Sequence, residues 1–319
     1  MLKFINRKIA FQWMLLLGLL TLSVYVVITQ AQLSNEQGTV FLYKNFAHFF
    51  SQYEFFGKGI IIAVLLLQVV LLQYYFTKNE FTAKNSLLPA CFYLSILLLT
   101  KSLITISPSF FTLLFLLITI SINYATSSAK LKINAFWIGI LIALGTCFDL
   151  SSFILLILVM ATLIINQFFK IKEIGILLFG VALVYFYFFS YFFFTNSYCD
   201  WILEFQQIKI LGILDGEILT RTSILISLIV LGVIYMYFII RTRLINESKV
   251  VTQRKKVVTF NTCAILMLAC LFISNSAYPY ILGYLSVPIS IYLAILAQEK
   301  NPLFINEIIT ILTLFLLWL

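Results

Sequence analysis

One histidine, His48, stands in 319 residues, and the four charged residue types together make up only 10% of the chain. A soluble domain carries about 25% charged residues, so a soluble globular fold is excluded. A single histidine leaves almost no material for histidine metal sites or a histidine-dependent catalytic triad. There is no P-loop, no GxGxxG and no HExxH, which removes the usual nucleotide and zinc-protease signatures. No metal or cofactor is expected. The five cysteines form no CxxC pair, and most fall in apolar runs, where cysteine behaves as a small apolar side chain. Cys147 and Cys199 are close enough in the expected layout to pair, but they are expected to remain thiols. Alternating β-barrel patterning is also missing, so helices must satisfy the backbone in lipid. With no tandem repeat, linker or long polar stretch, residues 1–319 read as one domain.

What is abundant is apolar: 62% of residues are hydrophobic and the mean hydropathy is +1.07. Apolar runs recur at about 17 to 25 residues, the length a helix needs to cross a bilayer. The spans read as 9–28, 59–76, 86–100, 108–125, 133–148, 150–169, 174–194, 222–240, 258–275, 278–297 and 303–319. The expected fold is therefore an all-α, polytopic transmembrane helical bundle of about eleven spans. Residues 1–31 read as a retained first helix, because an apolar stretch of about 20 residues exceeds the 7 to 15 of a signal peptide. Glu307, in the last span, is about a turn from a boundary to which its side chain can snorkel.

The net charge of +9 does not point to nucleic acid. With the N-terminus cytoplasmic, sixteen of the twenty-one basic residues fall on the inner side, as the positive-inside rule requires. Only Lys44, Lys58, Lys101, Lys209 and Arg221 lie outside. Two outer loops, 31–58 and 195–221, carry apolar residues at helical spacing and read as interfacial helices. The basic cytoplasmic loop 241–257 reads as a topology anchor against anionic headgroups. The expected location is the bacterial inner (plasma) membrane, and the first partner is the bilayer itself.

In "GTCFDLSSF", residues Gly145 to Phe153, a carboxylate interrupts an apolar stretch. Spans three to five hold about 15 to 18 residues, or roughly 22–27 Å against about 30 Å of hydrocarbon. Their outer ends would stop short of the surface, leaving Lys101, Ser107 and Asp149 at the floor of an outward recess. An intramembrane carboxylate is costly unless paired or wetted, which makes Asp149 a functional-site candidate. Asp is also a preferred N-cap, so Asp149 is expected to cap the sixth span as well. The other outer acids are Glu36, Glu54, Asp200, Glu204, Asp215 and Glu217. A carboxylate base with Lys or Arg against a phosphate is the minimum for transfer from a lipid-phosphate donor. On that reading Glu36 or Asp149 is the catalytic base, and Lys101 and Arg221 bind phosphate.

The stretch from Asn79 to Val159, with "NSLLP", "SPSFFTLLFLLI" and "INAFWIGILIALGTCFDLSSF", resembles an uncharacterised family of bacterial multi-pass inner-membrane proteins. More distantly, "AFWIGILIALGTCFDLSS" is similar to GT-C-type glycosyltransferases, in which a small-residue-rich helix pairs with the next one. That resemblance implies interfacial helices after span one and between spans seven and eight. It also implies an acid after the first span, here Glu36 in "AQLSNEQG", and a polyprenyl-phosphate-linked sugar as partner. The expected role is thus cell-envelope glycan or lipid-linked sugar processing, active or inactive. A non-enzymatic membrane subunit of an envelope assembly or secretion machinery is the alternative. A small-solute permease is the third reading, opposed by span cores nearly free of charge.

Overall fold

A computed structural model describes residues 9–31, 41–81, 86–100, 102–103, 108–124, 131–165, 171–195, 222–246, 251–273 and 278–298. Among these residues the regular secondary structure is all helix, with no strand. The helices are α1 (Ile9–Gln30), α2 (Phe41–Gln52), α3 (Glu54–Lys78), α4 (Leu88–Leu99), α5 (Pro108–Tyr124) and α6 (Leu131–Phe148). A 3-10 turn (Leu150–Phe153) leads into α7 (Ile154–Ile165), followed by α8 (Ile171–Phe194), α9 (Thr222–Asn246), α10 (Val251–Ile273) and α11 (Tyr278–Ala297). Three of them, α1, α3 and α8, are long and apolar enough to cross a membrane. Each of the first ten predicted spans coincides with a helix, whereas 303–319 lies outside the described residues.

The boundaries shift in three places. The predicted interfacial helix is α2, but only Tyr53 separates it from α3, which starts at Glu54 rather than 59. Gly57 permits this tight corner, since a Cβ there would sit 3.0 Å from the Cβ of Phe50. The basic segment 241–257 is mostly helix, shared between the end of α9 and the start of α10. And α8 begins at Ile171, so Glu173 belongs to its first turn and is only 5% exposed. One of its carboxylate oxygens is buried without a hydrogen-bond partner, a cost that the positive end of the helix dipole offsets in part.

Helix α11 is enclosed by its neighbours: every residue from Gly283 to Ala297 is buried. It packs against α4, α5, α9 and α10. Pro288 lies inside it, yet the helix runs through; proline there supplies no N–H to the carbonyl of Tyr284 one turn back. Tyr292 anchors the far half, stacking on Phe238 at 5.4 Å, meeting Phe260 edge-on at 5.1 Å and donating to Asn261 Oδ1 at 3.0 Å.

Helix α4 has only 12 residues, about 18 Å at the helical rise. Polar side chains tie both its end and its middle. The Leu87 N–H, one of the unmet donors of a helix start, donates to Gln12 Oε1 of α1 at 3.0 Å. Gln73 of α3 donates to the Ser86 carbonyl at 2.7 Å. Deeper in the bundle Gln68, fully buried on α3, donates to the Phe110 carbonyl at 2.8 Å and accepts from the Tyr93 phenol at 3.0 Å. Each such bond contributes about 1 kcal/mol net. Replacing Gln68 by leucine is therefore expected to cost about 2 kcal/mol, read as a lower thermal midpoint in detergent.

Helix α6 makes its most extensive contact with α8, not with α7. The expectation that the small-residue-rich helix pairs with the next one is thus corrected by one helix. Glycines explain it. A Cβ on Gly180 would lie 2.5 Å from the Phe136 carbonyl oxygen and 3.4 Å from the Gly139 Cα. Small residues let two backbones approach this closely, and α7, with no glycine, cannot do so. Along the contact Phe136 stacks on Phe179, Gly139 meets Gly180, and Thr146 Oγ1 lies 2.6 Å from the Tyr185 hydroxyl. Residue numbers rise together, so α6 and α8 are parallel. By contrast α3 and α4 are antiparallel, through Gln68–Tyr93 and Gln73–Ser86.

Candidate functional site

Asp149 sits where α6 ends. Its N–H closes the last turn on the Gly145 carbonyl at 2.9 Å, and its own carbonyl accepts the Ser152 N–H at 3.0 Å, opening the 3-10 turn. One residue therefore joins two helical segments at the break in the apolar run. The backbone carbonyl of Asp149 thus opens a 3-10 turn, and α7 follows that turn rather than Asp149 itself.

The side chain reaches across the bundle. The Tyr284 phenol of α11 donates to Asp149 Oδ2 at 2.8 Å. That same hydroxyl lies 3.2 Å from Ser152 Oγ and is hydrogen-bonded to Thr112 Oγ1 of α5. Thr112, Ser152 and Tyr284 are all at most 1% exposed, whereas Asp149 is half-buried. A carboxylate accepting from a phenol forms a charge-assisted hydrogen bond, stronger than a neutral one. The arrangement is a hydroxyl triangle centred on Tyr284, with a carboxylate on its more open side. Two residues along α11, Ser286 is in hydrogen-bonding reach of Tyr93, which links this triangle to Gln68.

An aromatic shelf adjoins it. Phe148 stacks on Phe111 at 5.1 Å and on Phe115 at 5.7 Å, and meets Phe46 of α2 at 5.4 Å. Phe50 of α2 stacks on Phe111 as well. Helix α2 is held here because Tyr43, Ala47 and Phe50 recur on one face and are buried. The predicted amphipathic helix thus folds over the start of α5 and the end of α6, at Phe111 and Phe148, next in sequence to Asp149.

No family model matches the chain, and no curated protein or solved structure is similar to it. The site therefore has to be read on its own chemistry.

Of the sequence-predicted site residues, Asp149 is the one within the described region. Glu36, Lys101 and Arg221 lie outside it, as do Ser107, Asp200, Glu204, Lys209, Asp215 and Glu217. Glu54 is engaged elsewhere, in an exposed pair with Lys58 at 2.5 Å. Cys147 is a buried free thiol. Sequence reasoning misses Tyr284 and Thr112.

Proposed function

We propose that the chain is a multi-pass protein of the bacterial inner membrane, N-terminus cytoplasmic, that acts in cell-envelope glycan or lipid-linked sugar processing. Two facts support the multi-pass reading. The parallel α6 and α8 are joined through α7, so the chain must return between them. The basic residues also gather on one side of the predicted layout.

The chemistry rests on one observation, the half-buried Asp149 carboxylate held at a helix break by Tyr284. Fixed in this way, a carboxylate can accept a proton from a sugar hydroxyl as it attacks. Lys101 and Arg221 would neutralise the phosphate of a polyprenyl-linked donor, and Glu36 would be the second acid, in a GT-C-like arrangement. Asp149→Asn keeps the shape and an acceptor oxygen but removes the base. Cells carrying it are expected to accumulate a lipid-linked sugar, seen by mass spectrometry of lipid extracts, with protein abundance unchanged by immunoblot. A lipid-linked sugar profile like wild type, at normal abundance, would remove Asp149 from the chemistry.

A second reading, a non-enzymatic subunit of an envelope assembly, is favoured by the same hydrogen bond seen differently. Tyr284 occupies one carboxylate oxygen, as it would in a purely structural tie. On that reading Asp149→Asn leaves the lipid profile intact, and a membrane protein co-purifies whose loss lowers the abundance of this chain.

A further inference from the structure

The stretch "GYLSVPIS" of α11, Gly283 to Ser290, sets one proline between two serines. Pro288 removes one rung of the helical ladder, and its ring presses on the carbonyl one turn back, that of Tyr284. Ser286 Oγ donates to the Gly283 carbonyl, and Ser290 Oγ donates to the Val287 carbonyl at 2.7 Å. Hydroxyls that bond back to the preceding turn compete with the backbone and favour bending. Proline is the commonest cause of a sharp helix bend. The weakest turn of α11 therefore lies around Pro288.

The two sides of that turn are held by different forces. After it, Tyr292 is enclosed by the rings of Tyr235, Phe238 and Phe260 at 5.6, 5.4 and 5.1 Å, and its hydroxyl bonds to Asn261. Before it, the ties are hydroxyl bonds: Tyr284 to Asp149, Thr112 and Ser152, and Ser286 to Tyr93. Parting aromatic rings gives up buried apolar area with nothing in return. A hydrogen bond can instead be exchanged for another at small net cost. Of the four groups around the Tyr284 hydroxyl, only Asp149 is more than marginally exposed, so the exchange can start there.

We infer that α11 is a hinged helix, with Pro288 as the hinge and the Asp149–Tyr284 hydrogen bond as the latch. Releasing the latch swings the segment before Pro288 away from α5 and the 3-10 turn, and opens the buried hydroxyls of Thr112 and Ser152 on the Asp149 side. The segment after Pro288 stays in place around Tyr292. A polar ligand that takes over the carboxylate binds the open form better and so shifts the balance toward it. The device is the same whether Asp149 is a base or a structural tie, so it does not rest on the proposed chemistry.

The test uses full-length protein in nanodiscs with its five cysteines, Cys91, Cys147, Cys199, Cys263 and Cys270, changed to alanine. Ser286→Cys and Ser290→Cys report on the two sides of the hinge. Both serines are 0% exposed, both bond back to the preceding turn, and they lie two residues before and two after Pro288. The rate at which a small methanethiosulfonate modifies each thiol, read by mass spectrometry, follows the open population when opening is fast. Ser286→Cys is expected to react faster than Ser290→Cys. Adding Asp149→Asn should speed Ser286→Cys about fivefold, the difference between a charged and a neutral hydrogen bond, and leave Ser290→Cys unchanged. Adding Pro288→Ala, which restores the missing N–H, should slow Ser286→Cys by a similar factor. Equal rates at the two positions would overturn the hinge, as would a rise at both with Asp149→Asn or no effect of Pro288→Ala. If the cysteine-free protein does not fold, hydrogen–deuterium exchange of the unaltered chain decides the question. Faster exchange at residues 284–287 than at 291–297, in a ratio that Asp149→Asn widens, supports the hinge, and equal exchange overturns it.

Discussion

Gly139→Ala is expected to cost about 3 kcal/mol, the upper end of what an overpacked contact costs. The new methyl group would fall on the Leu177 carbonyl oxygen, far inside van der Waals distance, with its carbon at 3.1 Å and the Val181 nitrogen at 3.2 Å. These are backbone atoms, so no side chain can swing aside and the helices must part. Separation would also lengthen the Thr146–Tyr185 hydrogen bond, now 2.6 Å. Gly180→Ala meets the Phe136 carbonyl oxygen at 2.5 Å and should behave alike. Gly175→Ala is the control. It lies on the same helix α8 with nothing within 4 Å, and removing a helical glycine gains roughly 0.5–1 kcal/mol. Thermal midpoints in detergent should therefore move in opposite directions for Gly139→Ala and Gly175→Ala. Equal midpoints would mean that α6 and α8 do not approach as closely as described.

That contact also shows what the sequence could and could not convey. Hydropathy placed ten helices, because apolar run length depends on composition alone. It could not say which helices touch. In water an apolar stripe announces the buried face, but a helix in lipid is apolar on every side, and the face signal vanishes. The glycines of "WIGILIALG" were visible, and pairing with the neighbouring helix was the natural expectation. The partner is α8 because it brings Gly180 to meet Gly139. Only the two glycines together, about 40 residues apart, specify the crossing. The same limit applies to α11, where "YILGYLSVPISIYLAILA" reads as any other span, although its surroundings bury it from Gly283 onward.

At the candidate site the balance was similar. Asp149 stood out, since a lone carboxylate in an apolar run is rare for an energetic reason. Its partner did not, because tyrosine is tolerated in many lipid-facing positions and "GYL" gives no hint of burial. Tyr284 is 1% exposed and 135 residues from Asp149 in sequence. Hydrogen bonds at such separation are set by the bundle, not by local spacing. The amphipathic helix near residues 41–52 was legible for the opposite reason: its pattern of polar and apolar residues is local. Where it docks, on Phe111 and Phe148, was not.

Tyr284→Phe is expected to destabilise the protein by about 3 to 4 kcal/mol, more than Asp149→Asn does. The phenol serves three partners, and its loss removes one bond to a charged group, worth about 1.5–3 kcal/mol, and two neutral ones of about 1 kcal/mol each, some of which overlap. Asp149→Asn retains an acceptor oxygen for the phenol and gives up only the charge, a change of about 1 kcal/mol. In a double-mutant cycle the two positions should couple by about 1 to 2 kcal/mol. A coupling near zero would mean that the carboxylate is solvated independently of the phenol. Set beside the lipid-linked sugar profile, the cycle separates structure from chemistry. A base at Asp149 predicts that Asp149→Asn keeps most of the stability and loses the activity, while Tyr284→Phe loses stability and keeps activity in whatever fraction folds. A structural tie predicts that both variants affect function only in proportion to the protein they leave folded.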